Sequence, residues 1–415
     1  MIGSLFAGIT GLNVNAKALT VIGDNIANVN TTAFKSNRVS FANILSQTLA
    51  GTGGSEIGRG VEFWGTTPMW SQGSVENTTN PTDMAINGSG FFVLRDAANA
   101  NYYTRAGDFS FDRDGYLVNP DGLFAQGYEV LAVQPNGALT LGNVSDINVP
   151  GQSTSPPQAS SEFTVDVNLD ARAADLDTYS TTSIVYDSAG NTIPMTLTFE
   201  KQTVNDWNVS VTVPPGTVTD PLTDITITNS NFTFDGTGTL NNGADPIVSF
   251  TNLLSGASPL SLTWNVFEDA TSVTNGDLTQ YASPSTTTFQ TQNGYTSGVL
   301  RGVSVDEAGV VTGSYSNGQL TPLYQVQLAD FPNYYGLNKM GKNLYAESRD
   351  SGQPMVGTAQ TGRLGNISPS SIEMSNVDLA QEFVKMITTQ RAFQANSRVI
   401  TASDEILAEL MNIKR

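Results

Sequence analysis

The strongest constraint on this chain lies at its two ends. In residues 2–26, Ile2, Leu5, Ile9, Leu12, Ala16, Leu19, Gly23 and Ile26 step by three and four in strict alternation, the spacing of a coiled-coil seam. The flanks carry Asn13, Asn15, Lys17, Thr20, Asp24 and Asn25, so the segment reads as one amphipathic helix about 37 Å long. The other long helical pattern is at the opposite end, in residues 376–413. There Leu379, Phe383, Met386, Ile387, Phe393, Val399, Ile400, Ile406, Leu407, Leu410 and Ile413 form a broad apolar stripe. Ser375 is placed to cap this helix, with Asp378 three residues on as in a capping box and Met374 and Leu379 as a hydrophobic staple. Two helices with everything else between them read as a stem carrying a large head.

The stem has features of an incomplete structure. Gly8, Gly11 and Gly23 each cost the first helix roughly 1 kcal/mol relative to alanine. Gln390, Asn396, Ser397 and Asp404 lie on or beside the second stripe, where polar residues specify register against a fixed neighbour. The expectation is that both ends order only against other copies.

Among 415 residues only 14% are charged, well below the roughly 25% of an average globular protein. Thr, Ser, Asn and Gly fill the difference, which suits exposed strands and turns. The net charge of −19 argues against nucleic acid or an anionic membrane as partner. Residues 150–285 concentrate it, with fifteen acidic residues against Arg172 and Lys201, a net of −13. Cysteine and histidine are both absent, which removes disulfides, thiolate ligands and the commonest general base. No run of eighteen apolar residues marks a membrane span. The Leu5–Leu12 stretch lacks a cationic leader and is broken by Gly8, Thr10 and Gly11, so it reads as uncleaved, and leaving the cell would take another route.

Between the ends the pattern is strand and turn. A unit of alternating apolar residues followed by Asp-x-x-Gly recurs at Asp112–Gly115, Asp187–Gly190, Asp235–Gly238 and Asp306–Gly309. Asp opens a type I turn by bonding the backbone ahead of it, and Gly takes the left-handed position; a calcium loop is disfavoured because no Glu closes a twelve-residue loop. Strong alternation marks strands at 163–169, 195–199, 207–213 and 260–266, read as half-buried and antiparallel. The fold expected is α+β, mainly β. A terminal helical stem spans 1–30 and 374–415, and connectors span 31–72 and 365–373. A split inner β domain occupies 73–149 and 286–364, and an outer β domain is inserted at 150–285.

No constellation carries catalytic chemistry. Asp175 with Asp177 and Glu268 with Asp269 fall in solvated turns, and Gly88-Ser89-Gly90 lacks the lysine and helix of a phosphate loop. Trp64, Trp70, Tyr102, Tyr103, Tyr334 and Tyr335 are read as packing residues rather than sugar platforms. Neither cofactor nor metal is expected.

The run Val21-Ile22-Gly23-Asp24-Asn25-Ile26-Ala27-Asn28-Val29-Asn30-Thr31-Thr32-Ala33-Phe34-Lys35 resembles the N-terminal signature of flagellar rod and hook proteins. Ser375-Asn376-Val377-Asp378-Leu379 and Gln390-Arg391-Ala392-Phe393-Gln394-Ala395-Asn396 resemble their C-terminal signature. Asn80-Pro81-Thr82-Asp83-Met84-Ala85-Ile86, Tyr103-Thr104-Arg105-Ala106-Gly107 and Gly313-Ser314-Tyr315-Ser316-Asn317-Gly318 are similar to the inner domain of hook proteins. Ala33 departs from the glycine usual before Phe-Lys and puts the local turn in question. The inserted domain favours a hook-type over a distal-rod-type subunit; a secreted carbohydrate-binding or adhesive module is the reading from another class.

The resemblance implies a non-enzymatic homopolymer subunit, exported unfolded by the flagellar type III apparatus and added beneath a hook cap. Rod, cap and hook–filament junction proteins would be its partners, with no membrane insertion. The polymer would be a curved extracellular tube around the export channel, passing torque from motor to filament as a universal joint. Its core would use Leu5, Ile9, Leu12, Leu19, Ile22, Ile26, Asn28 and Phe34 from the first end, and Leu379, Phe383, Met386, Ile387, Gln390, Phe393, Asn396, Ile400, Leu407 and Leu410 from the second.

Overall fold

The computed structural model describes residues 2–44, 47–48, 56–151, 153–241, 244–266 and 278–413. The expected core residue Leu410 and the stripe residues Ile2 and Ile413 lie outside the described side chains, as does most of the glycine-rich 51–60 stretch of the expected connector. The chain divides into two compact units. One comprises residues 1–151, 302–314 and 320–415, and the other comprises 152–301 and 315–319.

In the first unit, helix α1 (Ile2–Ala27) and helix α2 (Leu379–Ile413) run antiparallel, since Ser4 meets Ser403 near one end and Asn25 meets Glu382 near the other. Stretch 3–27 of α1 is, by length and composition, long and apolar enough to cross a bilayer, although Asn13, Asn15 and Lys17 break any continuous apolar run. The N-cap of α2 is Asp378 rather than Ser375: its carboxylate accepts from the Ala380 and Gln381 amides at 2.9 and 3.2 Å. Ser375 instead accepts from Val377 N–H.

The supposed connectors are paired strands. Asn37–Asn43 and Val61–Pro68 form an antiparallel hairpin. Asn366–Pro369 pairs with Met84–Asn87, and Ser371–Glu373 with Val75–Asn77. Polar composition concealed them, because a two-stranded ladder half in water needs few apolar residues. The main sheet is antiparallel and runs in the order Val310–Tyr315, Leu320–Asp330, Phe124–Val133, Phe91–Arg95, Asn101–Thr104, Leu344–Ala346, Asn338–Gly341. Under it Phe91, Tyr103, Phe331 and Tyr345 pack with Trp70 and Tyr334.

The second unit is two sheets closed over one core. The first runs Ile225–Ile227, Ile247–Phe250, Leu260–Trp264, Glu162–Asn168, Leu278–Thr279, and the second Thr178–Tyr186, Thr192–Thr203, Asp206–Thr212, Asn231–Thr233. Alternate residues of both, including Val165, Trp264, Leu197 and Trp207, fill the space between. The expected all-antiparallel pairing fails at Glu162–Asn168, which runs parallel to Leu260–Trp264 and Leu278–Thr279. Its other edge takes Thr286–Gln292. The inserted unit therefore continues to residue 301 rather than stopping at 285.

All four Asp-x-x-Gly units are turns of one geometry. Each aspartate accepts from the amides two and four residues ahead, and Gly115, Gly190, Gly238 and Gly309 sit at φ between 77 and 87°. Asn119, with Gly122 at φ 79°, builds the same turn with an amide oxygen.

Candidate assembly interface

On α1 the helices meet on a face one residue away from the one expected, whereas on α2 the inward positions include the expected Met386, Phe393, Asn396, Ile400 and Leu407. The covered positions of α1 are Gly8, Gly11, Val14, Ala18, Ile22 and Asn25, of which the two glycines let the backbones approach. A Cβ on Gly8 would lie 3.1 Å from Ile400 Cγ1, and one on Gly11 would lie 2.7 Å from Asn396 Nδ2. Two of the three glycines counted as helix liabilities, Gly8 and Gly11, are thus places of close approach by α2, whereas Gly23 has nothing near its Cβ position. On α2 the inward positions are Glu382, Met386, Thr389, Phe393, Asn396, Ile400, Ser403 and Leu407, all buried or half-buried.

Much of the aliphatic stripe remains outside this seam. Ile9 is 47% exposed, Leu379 40%, Phe383 49% and Ile387 51%, and Val384, Val399 and Ile406 are exposed as well. Leu5, Leu12, Leu19 and Ile26 are half-buried, as are Asn28 and Phe34, while Gln390 is exposed. Among the expected core residues of the first end, only Ile22 is buried within the chain. Within one chain the pair covers its inner seam, and what it leaves uncovered is the outer stripe.

Two side-chain amides fix the helices to the β part of this unit. Asn25, placed on the solvated flank by the sequence pattern, is buried; it accepts from Asn37 N–H at 2.8 Å and donates to Asn37 C=O at 2.9 Å and to Glu382 at 3.3 Å. Asn376, just ahead of α2, accepts from Ser36 N–H at 2.8 Å and donates to the Met69 and Ser71 carbonyls. The start of strand Asn37–Asn43 is thereby held from both chain ends. Ala33, beside it, sits at φ 55° and donates its N–H to Glu373 C=O at 2.7 Å. The usual glycine would take this left-handed backbone without strain.

Beneath lies a buried charge cluster that sequence reasoning missed. Lys35 Nζ donates to Glu373 Oε1 at 2.6 Å and to Ser71 C=O at 2.9 Å, and Gly73 N–H donates to the same carboxylate at 2.9 Å. Arg105 Nε lies 4.0 Å from Glu373 Oε2, and its terminal nitrogens donate to the Ile86 and Gly88 carbonyls. Burial lowers the pKa of Lys35, with Glu373 pulling it back, and burial likewise lowers that of Arg105. Gly107, two residues on, admits no side chain, because a Cβ there would fall 1.6 Å from Met84 C=O. The Tyr103–Gly107 run is thus a packing motif built around one guanidinium and one close backbone approach.

The aromatics divide. Trp70, Tyr103 and Tyr334 are packed in the cluster, with Trp70 5.1 Å from Tyr345 and Tyr103 4.7 Å from Phe331, while Trp64 and Tyr335 are exposed. Burial pushes the Tyr103 phenol up to about 12, with Glu347 adding to it, and burial pushes Tyr345 up to about 12 as well. Raised folded-state values mean that the protein holds these protons longer than the unfolded chain. Their contribution is complete below pH ~10 and is lost as pH climbs toward 12, at a cost on the order of 2 kcal/mol per ring. Alkaline titration followed by phenolate absorbance is expected to show these two of the thirteen tyrosines ionising last, together with unfolding; early ionisation of all thirteen in the folded protein would contradict it. No group of three or more Asp or Glu side chains among the described residues is placed to hold a metal ion.

Residues 5–35 match the family described as Flagella basal body rod protein, and 368–413 the Flagellar basal body rod FlgEFG protein C-terminal. Residues 85–168 match the Flagellar hook protein FlgE/F/G D1 domain, and 152–295 the Flagellar basal body protein FlaE D2 domain. The chain is 33% identical to the flagellar hook protein FlgE of Treponema pallidum over 465 residues, covering all of both chains. It is also 33% identical to that of Escherichia coli over 421 residues, covering 98% of each. The crystal structure of the Helicobacter pylori flagellar hook protein FlgE2 shares the fold, with a TM-score of 0.52 at 17% identity over 72% of this chain and 100% of that one.

Proposed function

This chain belongs to the flagellar hook protein family, and from that premise we propose that its terminal helices build the core of a homopolymer through the aliphatic stripe that the single chain leaves bare. The protein is a structural subunit of the hook of the bacterial flagellum, outside the cell, in a family of structural proteins rather than of enzymes. In the proposed core the inner seam of each helix pair sets its register, and the outer stripe, with Ile9, Leu379, Phe383 and Ile387 at its centre, packs on neighbouring copies. Burying the exposed half of such a side chain contributes roughly 1 kcal/mol, so a stripe of six or seven supplies several kcal/mol per neighbour. The tube encloses the export channel and transmits torque as a universal joint. Its further partners are the rod, the hook cap, the hook–filament junction proteins and the type III export apparatus. Thr and Ser hydroxyls on strand faces, such as Thr182 with Thr196 at 3.1 Å, give wet contacts that exchange cheaply as such a joint bends.

The observation that carries this reading is the exposure of Phe383 and Ile387 on a helix whose opposite face is already paired. The test is the full-length chain with Phe383→Asp and Ile387→Asp together. Its helix content by circular dichroism is expected to stay near wild type, while tubes seen by negative-stain microscopy disappear. Tubes forming at the wild-type concentration would sink the proposal.

A further inference from the structure

The segment that leaves α1 is gripped from two sides. On one side Ala33 and Lys35 bond Glu373, and Ser36 bonds Asn376. On the other lies the hairpin of Asn338–Gly341 and Leu344–Ala346, which is anchored in the main sheet through Asn101–Thr104. This hairpin reaches back to the same segment. Asn343 Nδ2 donates to Thr32 C=O at 2.7 Å, and Lys339 Nζ donates to Asn37 Oδ1 at 2.6 Å. Lys342 Nζ lies 2.6 Å from Asp121 Oδ1 in the neighbouring turn.

The tip is not the turn that a hairpin alone selects. Lys342 and Asn343 form its two-residue loop, both left-handed at φ 53 and 56°, behind Gly341 at 85°. A loop of this hand is a type I′ turn, for which Asn-Gly and Asp-Gly are the favoured pairs. A lysine is strained there, and such strain persists where surrounding contacts over-determine it. Both loop side chains make the contacts just named. Nor is the tip packed in place. Lys342 and Asn343 line two cavities at once, one of about 300 Å³ beside Asn28, Phe34 and Tyr345 and one of about 230 Å³ beside Asp108 and Asn119. The tip is a partition with room on either side, and the Lys342 side chain of its ion pair is 72% exposed.

We propose that this hairpin is a releasable clasp on the exit of α1. Closed, it fixes residues 31–37 against the main sheet; open, it leaves them held by the Glu373 side alone, about which the segment turns. The Lys35–Glu373 pair is buried and little screened by salt, so that side stays shut under conditions that open the exposed one. The clasp belongs to the single chain and stands or falls independently of the homopolymer reading.

Hydrogen exchange of the peptide covering residues 28–37, read by mass spectrometry on the dilute full-length chain, tests the clasp. The variant Lys342→Asn with Asn343→Gly installs the favoured turn and removes both grips of the tip. If these two residues serve only the turn, exchange in 28–37 stays at the wild-type rate. For a clasp it is expected to rise severalfold, while exchange in the peptide around Glu373 does not change. Asp121→Asn, which leaves the turn intact, is expected to give a smaller rise. Raising salt from about 0.1 M to about 1 M shortens the screening length from about 10 Å to about 3 Å. It is expected to speed exchange in wild type and not in Asp121→Asn. Wild-type exchange in the double variant overturns the proposal; should that variant not fold, wild-type exchange in Asp121→Asn overturns it.

Discussion

Replacing Glu373 by alanine is expected to lower the stability of the first unit by about 3–5 kcal/mol, the usual cost of stranding one member of a buried ion pair. The carboxylate is fully buried and serves Lys35 Nζ and the Gly73 amide at once, with Arg105 close by. Its loss leaves an ammonium that is itself only 2% exposed beside a lone carbonyl. Lys35→Met alone strands the carboxylate in the same way. The double variant, Lys35→Met with Glu373→Leu, is expected to recover much of the loss, because two apolar groups of similar volume need no compensation. Recovery should be incomplete, since the Gly73 N–H loses its acceptor and the buried Arg105 guanidinium its neighbouring carboxylate. Urea denaturation of the three full-length variants decides the matter. An unchanged midpoint in Glu373→Ala, or a double variant weaker than both singles, would show that the cluster does not hold this unit together. Because residues 35, 73, 105 and 373 reach this point from four distant parts of the sequence, the same loss should loosen the attachment of both terminal helices.

The second large effect lies in the inserted unit. Trp264 is fully buried, stacked on Phe163 at 5.5 Å and 21°, with Phe199 and Phe232 edge-on at 5.9 and 5.5 Å. Trp264→Ala removes the ring on which both sheets converge and is expected to cost about 3–5 kcal/mol. Trp264→Phe is expected to cost far less than its lost area implies, because the indole N–H finds no hydrogen-bond partner among the described residues, and removing such a donor offsets part of the cavity cost. Differential scanning calorimetry should register the loss in the transition of this unit alone, with the terminal helices, part of the other unit, unaffected. Equal stability of Trp264→Ala and wild type would mean that the two sheets do not share this core.

Much of this architecture was legible in the chain. Both helices, the strands around Phe163, Met195, Trp207 and Leu260, and the Asp-x-x-Gly turns follow from periodicity and local hydrogen bonding, which depend on residues a few positions apart. The signature runs were legible as a resemblance, but not as physics. Arg105 and Gly107 acquire a reason only when Ile86, Gly88 and Met84 are brought to them. The strands at 366–369 and 371–373 were missed because their partners lie nearly three hundred residues away.

Helical spacing of the apolar residues makes each end a helix with an apolar face too large to leave in water. Which face the chain covers for itself was decided only by tertiary structure. A pattern scored by side-chain size selects Leu5, Ile9 and Leu12, yet Gly8 and Gly11 let α2 approach closely enough to meet Ile400 and Asn396, so they lie in the inner seam. Ile9, Leu379, Phe383 and Ile387 were left facing outward while Ile22, Phe393 and Ile400 turned inward, and that division depends on the distance between two backbones, a quantity that no window of sequence contains.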